Sequence, residues 1–365
     1  IVKRSKLVLL SFIITTIIAG AVGSLSFGRL DSGGYSDLNS DSAKAAKYVV
    51  DVFGAEEPVA VMVVDSASST IDDPTVASTA VEIEKKIQGQ KGVSKTYSYW
   101  STGGSPTMKS KDGKAGFILV YSDLDAFDWD GLGALGASLQ EAFDGEYKNV
   151  HIYASGAGVI TYAINHKIEK DLVLAESIAI PLTFLLLVFV FGALVASATP
   201  LFVGVTAILG SFFIIYLLTL FTNVSVFALN LITGLGLGLG IDYALLMVNR
   251  FREELHNGHS VEESVVTTVA TAGKTVFYSG LTVFVTMASL LFFPLEFLKS
   301  FGYAGVAVIT FAVIGAVIAL PALLAVLGEK VDKGVIRKSA ITPKEDGRWA
   351  HTARNVMQRP VPVVL

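Results

Sequence analysis

Cysteine is absent from this 365-residue sequence, which excludes disulfides, thiol chemistry and thiolate metal sites. Histidine is scarce: the five, at positions 151, 166, 256, 259 and 351, form no ligand spacing, and His256 and His259 read as solvated loop residues. Charge is scarce too. Only 16% of residues are Asp, Glu, Lys or Arg, and a net charge of -4 spread along the chain gives no basic surface for nucleic acid. No nucleophile elbow, metal spacing or phosphate loop is present, so neither an enzyme nor a cofactor is expected. The glycine-rich run at 234–240 is not a dinucleotide fingerprint, because the position that G-x-G-x-x-G requires is Leu239 and no strand precedes it. What the chain has in excess is apolar: 52% of residues are hydrophobic and the mean hydropathy is +0.60. That is too apolar for an ordinary soluble domain and implies a membrane protein.

The apolar residues are grouped. Lys3, Arg4 and Lys6 precede a run from Leu7 to about Leu25, long enough at roughly 20 residues to span a bilayer as a helix. A signal peptide is the rival reading, disfavoured by the lack of a clear cleavage site and by later spans. Further spans are expected at 172–191, 201–221, 226–248, 275–293 and 301–327, which makes six transmembrane helices. Residues 1–27 thus form the first helix, 28–170 an aqueous domain, 171–328 helices two to six, and 329–365 a tail. Within 28–170, strands are expected at 58–65, 92–100, 115–122 and 150–154, and helices at 41–53, 74–87 and 130–143. Apart from the first helix this is the β-α-β-β-α-β order of a ferredoxin-like porter domain. Residues 255–272 read as a surface helix between spans four and five, opened by a capping box of Ser260 and Glu263.

Basic residues set the orientation. Lys3, Arg4 and Lys6, the loop with Arg250, Arg252 and Lys274, and the tail with Lys330, Lys333, Arg337 and Lys338 all fall on one side, the cytoplasmic one. Residues 28–170 then lie outside the cytoplasm. The final RNVMQRPVPVVL reads as a basic cluster followed by the start of a seventh span, and the chain starts at Ile1, so half of a larger, internally repeated protein is expected.

The fourth span, LITGLGLGLGIDYALLMVNRFREEL, carries a carboxylate, Asp242, in apolar surroundings. Asp242 lies eight residues before Arg250, which puts it roughly 12 Å from the cytoplasmic end of a core about 30 Å thick. An ionisable group at that depth is costly and points to function; desolvation favours its neutral form, as a reversible proton carrier requires. Gly234, Gly238 and Asp242 share one face by their spacing of four, and Gly236, Gly240 and Tyr243 a neighbouring one. These glycines read as helix-packing positions, with Asp242 facing a packed neighbour. On the fifth span Thr275, Ser279, Thr282, Thr286 and Ser289 form a hydroxyl stripe, most of which reads as bonding its own backbone. Ser279, five residues inside Lys274, is the expected partner of Asp242. Glu296 and Lys299 read as a solvated pair.

GLGLGLGIDYALLMVNRFREEL, followed by the spacer and TAGKTVFYSG, resembles the fourth-span signature and fifth-span start of the MmpL branch of the RND transporters of actinobacteria and related organisms. The resemblance covers the whole layout. It implies an exporter of lipids, glycolipids or other amphipathic small molecules in the bacterial plasma membrane, driven by the proton-motive force and relayed by Asp-Tyr pairs on spans four and ten. Asp242 and Tyr243 match the first pair and Ser279 a serine associated with the relay; the second pair would come from a second half, in the same polypeptide or by dimerisation. Two rivals share the layout: a SecDF-like accessory coupling protons to protein translocation, and a non-transporting lipid sensor or scaffold.

Overall fold

The computed structural model describes residues 2–34, 37, 39–54, 57–66, 69–125, 128–336 and 348–358. In the outer domain, alternation puts Ala60, Met62 and Val64 on the buried side of a strand, β1 (Ala60–Asp65). The other strands are β2 (Val93–Ser98), β3 (Ala115–Ser122), β4 (Gly145–Tyr147) and β5 (Val150–Ser155). They form one antiparallel sheet in the order β2-β3-β1-β5-β4. Helices α3 (Pro74–Gln88) and α4 (Trp129–Phe143) pack Ile83, Ile87 and Leu139 onto Met62, Ile118 and Ile152. Asp73 caps α3 by accepting from Thr75 N at 2.8 Å, and Asp128 caps α4 through Gly131 N. With β5 as the fourth strand, this is the split β-α-β order that the sequence predicts. The extra strand β4 has no sequence signature, because three residues are too few to show alternation; Lys148, at φ 54, turns it back into β5. A preceding helix, α2 (Asp41–Phe53), is capped by Ser40.

Among the described residues six helices are long and apolar enough to cross a membrane: Val2–Ser26, Ala157–Phe191, Leu194–Leu218, Ala228–His256, Val261–Phe292 and Glu296–Asp332. The chain is therefore a polytopic helical membrane protein carrying a small sheet domain. The continuous α-helical parts are α1 (Ser5–Gly23), α5 (Ala157–Phe191), α6 (Leu194–Leu218), α7 (Ala228–His256), α8 (Val261–Thr268), α9 (Lys274–Ala288), α10 (Glu296–Ile314) and α11 (Leu320–Leu327). The largest core runs between α6, α7 and α10, around Val203, Ala207, Ile232, Met247 and Val308.

Two elements differ from their sequence outlines. The second span does not begin near Leu172: α5 starts at Ala157 and is about 52 Å long, so one helix rises out of the membrane and packs on α4. Hydropathy marks only its apolar part, whereas helical geometry continues until Gly156, at φ +106, where a Cβ would meet the Ala60 Cα at 2.7 Å. Likewise 255–272 is not a separate surface helix. The capping box forms, with Glu263 N donating to Ser260 Oγ and Ser260 N to Glu263. From there α8 runs through a π-turn at Val269–Gly273 straight into α9, with Ser264, Val265 and Thr268 buried. No breaker separates them, and the polar residues of α8 had suggested a surface position. The tail holds α12 (Arg348–Gln358); the expected apolar start of a seventh span lies beyond it, outside the described residues.

Candidate functional site

The glycines of α7 divide into two stripes with opposite surroundings. Gly240 lies against α6, where an added Cβ would meet the Gly204 Cα at 2.6 Å, and a Cβ on Gly236 would meet Ile208 at 2.6 Å. These two are close-approach positions, because only hydrogen fits between the two helices. Gly234 and Gly238, expected to pack in the same way, do not: a Cβ on either would meet nothing within 4 Å. Asp242 shares their stripe and is exposed. The packed neighbour expected for this face is thus not supplied by the described residues. A spacing of four marks a stripe but not its partner, and the stripe offset by two residues is the one that α6 takes.

Tyr243, one residue on, points the other way and is only 3% exposed. Its hydroxyl has no hydrogen-bond partner among the described residues and sits 3.7 Å from where a Cβ of Gly280 would lie, on α9. Val313 of α10 closes the same space, 2.3 Å from that point. Tyr243 therefore reaches α9 one residue past Ser279, and the absence of a side chain at Gly280 makes room for Val313 of α10, with the Tyr243 hydroxyl in ordinary contact distance of the same point. Ser279 itself is exposed, and neither it nor Asp242 has a hydrogen-bond partner among the described residues. The structure does not bond the three residues to one another: Tyr243 lies against α9, while Asp242 and Ser279 are exposed on their own helices. Elsewhere in the stripe, Thr282, Thr286 and Ser289 donate to the backbone carbonyls of Tyr278, Thr282 and Thr286, as the sequence suggests.

The C-terminal end of α7 holds an ion cluster. Arg252 is 5% exposed; its Nε donates to Asp332 Oδ1 at 2.7 Å and its guanidinium lies 5.7 Å from the centre of the Phe191 ring. Arg250 pairs with Glu253 and with the buried Glu254. The two histidines are not simply solvated: His259 Nδ1 lies 2.9 Å from Glu254, and His256 Nε2 lies 3.7 Å from Asp332. Asp332 ends the last span and leads into a strap whose Ile336 N donates to Gly192 O and whose Gly334 O accepts from Leu194 N. The basic residues of this loop mark its side of the membrane, but nothing local identifies Asp332, 80 residues away, as a partner.

Elsewhere in the bundle, α1 and α6 enclose an open groove of about 380 Å³, lined by Ile13, Ile17, Leu201, Phe202, Val205 and Leu209 among others. Its walls are apolar enough for an acyl chain.

Comparison with known proteins follows the same architecture. The family model of the MMPL family matches residues 35–363. A membrane protein of Streptomyces coelicolor is 33% identical over 99% of this chain and 50% of its own length. The trehalose monomycolate exporter MmpL3 of Mycobacterium tuberculosis is 29% identical over 100% of this chain and 42% of its own. The mycolic acid-containing lipids exporter MmpL11 of Mycolicibacterium smegmatis is 31% identical over 59% of this chain and 23% of its own. The chain spans about half the length, or less, of the curated relatives it matches.

Proposed function

This chain belongs to the MMPL family, and on that premise we propose that it acts as one half of a proton-driven exporter of lipids, glycolipids or similar amphipathic molecules in a bacterial plasma membrane, with residues 28–170 outside the cytoplasm. The observation that carries this reading is the division of α7 into a packed stripe, Gly236, Gly240 and Tyr243, and a bare one, Gly234, Gly238 and Asp242. A bare glycine stripe ending on a carboxylate suits a second helix bundle that comes close and supplies the acceptor or donor Asp242 lacks. The second half would bring that bundle, together with its own Asp-Tyr pair. Protonation of Asp242 would remove its charge, weaken its bond across the interface and let the helices shift; the continuous α5, which joins the membrane to the outer domain, would carry the movement outward. Tyr243 and Ser279 flank the path on the α9 side. The lipid-exporter names of the relatives and the apolar groove between α1 and α6 favour a lipid cargo. Substitution Asp242→Asn keeps shape and removes the charge change. It is expected to abolish export in the full-length protein while leaving the amount of folded protein in the membrane unchanged; export at the normal rate by that variant overturns the relay.

A further inference from the structure

Between the first span and the outer domain the chain passes through Asp31, Ser32, Gly33 and Gly34, and these four residues hold several parts of the molecule together. Asp31 N donates to Val224 O at 2.8 Å and Asp31 O accepts from Val226 N at 2.9 Å, in the connection between α6 and α7. Gly34 O accepts from Phe297 N at 3.0 Å, at the start of α10. Ser32 donates through N and Oγ to Asp130 Oδ1, in the first turn of α4, and its Oγ accepts from Asn165 Nδ2 of α5. Both glycines are needed: a Cβ on Gly33 would meet Trp129 at 2.3 Å, and Gly34 sits at φ +89 against the Phe297 backbone. This strap fastens the outer domain to the outer end of the bundle.

Carboxylates crowd it. Asp31 is partly buried and accepts from Gly33 N at 2.8 Å; Asp128 and Asp130 face it from α4 and Glu296 from the first turn of α10. The residues facing it from α5 and from the α6–α7 connection, Asn165 and Val224 to Val226, are neutral. Among the described residues no cation pairs with these carboxylates: Arg29 lies over the Tyr216 ring at 5.6 Å, and Lys299, expected to pair with Glu296, makes no ion pair with it. Burial pushes the Asp31 carboxyl above its ordinary 3.8; the Gly33 N–H works against this, and repulsion from Asp130, Glu296 and Asp128 adds to the rise.

We propose that Asp31 is a second proton-binding site, separate from the α7 relay and on the outer side of the membrane, whose occupancy sets how firmly the outer domain is fastened to the bundle. The placement outside rests on the orientation given above. Fastening favours the protonated form, and release into water returns Asp31 to its ordinary value, so fastening takes up a proton. It is firmest at low pH, weakens as pH rises from 3.8 toward the raised value, and stays weak above it. An exporter that pumps against an acidic exterior would thereby hold its outer domain in register while protons are plentiful, and loosen it when they are not.

The lack of native cysteine makes the test direct. Cysteines introduced at Lys91, on the outer domain, and Asn223, in the α6–α7 connection, are both exposed and can carry spin labels in the full-length protein in lipid nanodiscs. The distance distribution is expected to narrow reversibly as pH falls from about 8 to about 4. Asp31→Asn keeps an acceptor for Gly33 N and cannot ionise, so its distribution should be narrow at every pH. Glu296→Gln removes one repelling charge and should move the midpoint to lower pH. A pH response in Asp31→Asn equal to that of the unchanged protein overturns the proposal, as does a distribution that ignores pH. The response should survive Asp242→Asn: loss there, with retention in Asp31→Asn, overturns this site and leaves the relay standing, whereas normal export by Asp242→Asn sinks the relay and leaves this site intact.

Discussion

Tyr243 and Arg252 are buried polar residues on one helix, with opposite prospects. The Tyr243 hydroxyl is desolvated without a partner, a state that costs on the order of 1 to 3 kcal/mol and is tolerated where function uses it. Tyr243→Phe is therefore expected to leave the thermal midpoint of the full-length protein unchanged or slightly higher, while export drops; unaltered export would remove the hydroxyl from the proton path. Arg252 is held by Asp332 and backed by Phe191, so removing its partner strands a buried cation. Asp332→Ala should destabilise by about 3 kcal/mol, and the double variant Arg252→Ala/Asp332→Ala by less than the sum of the two single changes. Additive losses in that cycle would show that the two side chains are not coupled.

At the scale of the element, α7 is a helix with one surface used and one left bare. Gly240→Ala forces a methyl group into the Gly204 backbone and is expected to cost about 1 to 3 kcal/mol, lowering the thermal midpoint and the yield of folded protein. Gly238→Ala meets nothing in this chain and should gain the roughly 0.5 to 1 kcal/mol that alanine has over glycine within a helix. If a second half closes on this stripe, the same methyl group stands in its way, and export should fall although stability of this chain does not. Full export by Gly238→Ala would argue that nothing packs there. The long α5 has the complementary character: one helix, with Pro181 inside it, it runs from the last strand of the sheet domain to the turn at Gly192 and joins the two regions without an intervening loop.

For the whole molecule, the positions of charged loops and of the sheet domain make one testable arrangement. Introduced cysteines at Lys111, in the outer domain, and Asn257, after α7, are exposed in the fold. An impermeant maleimide added to intact cells should label the first and reach the second only after the membrane is opened; the reverse pattern would invert the orientation. The strap that follows Asp332 and the strap through Asp31 tie the bundle at its two ends. Between them, the face of α7 that bears Gly234, Gly238 and Asp242 is left bare among the described residues.

Much of this was legible in the residues. Apolar runs of bilayer length have few stable forms other than helices, because buried backbone must satisfy its own hydrogen bonds, so the six spans follow from composition and length. Alternation in strands and cap residues at helix starts likewise placed the ferredoxin-like core, whose signals are local. Depth and spacing singled out Asp242 and Ser279, and the family signature matched them together with Tyr243, without showing how the three sit. Tertiary structure decided which stripe of α7 is packed, that Tyr243 turns into the bundle while Asp242 does not, and that Asp332 and Asp31 join segments far apart in sequence. Spacing along a helix defines its faces, but which face meets another helix depends on the shapes of both, and that information lies in no single stretch of the chain.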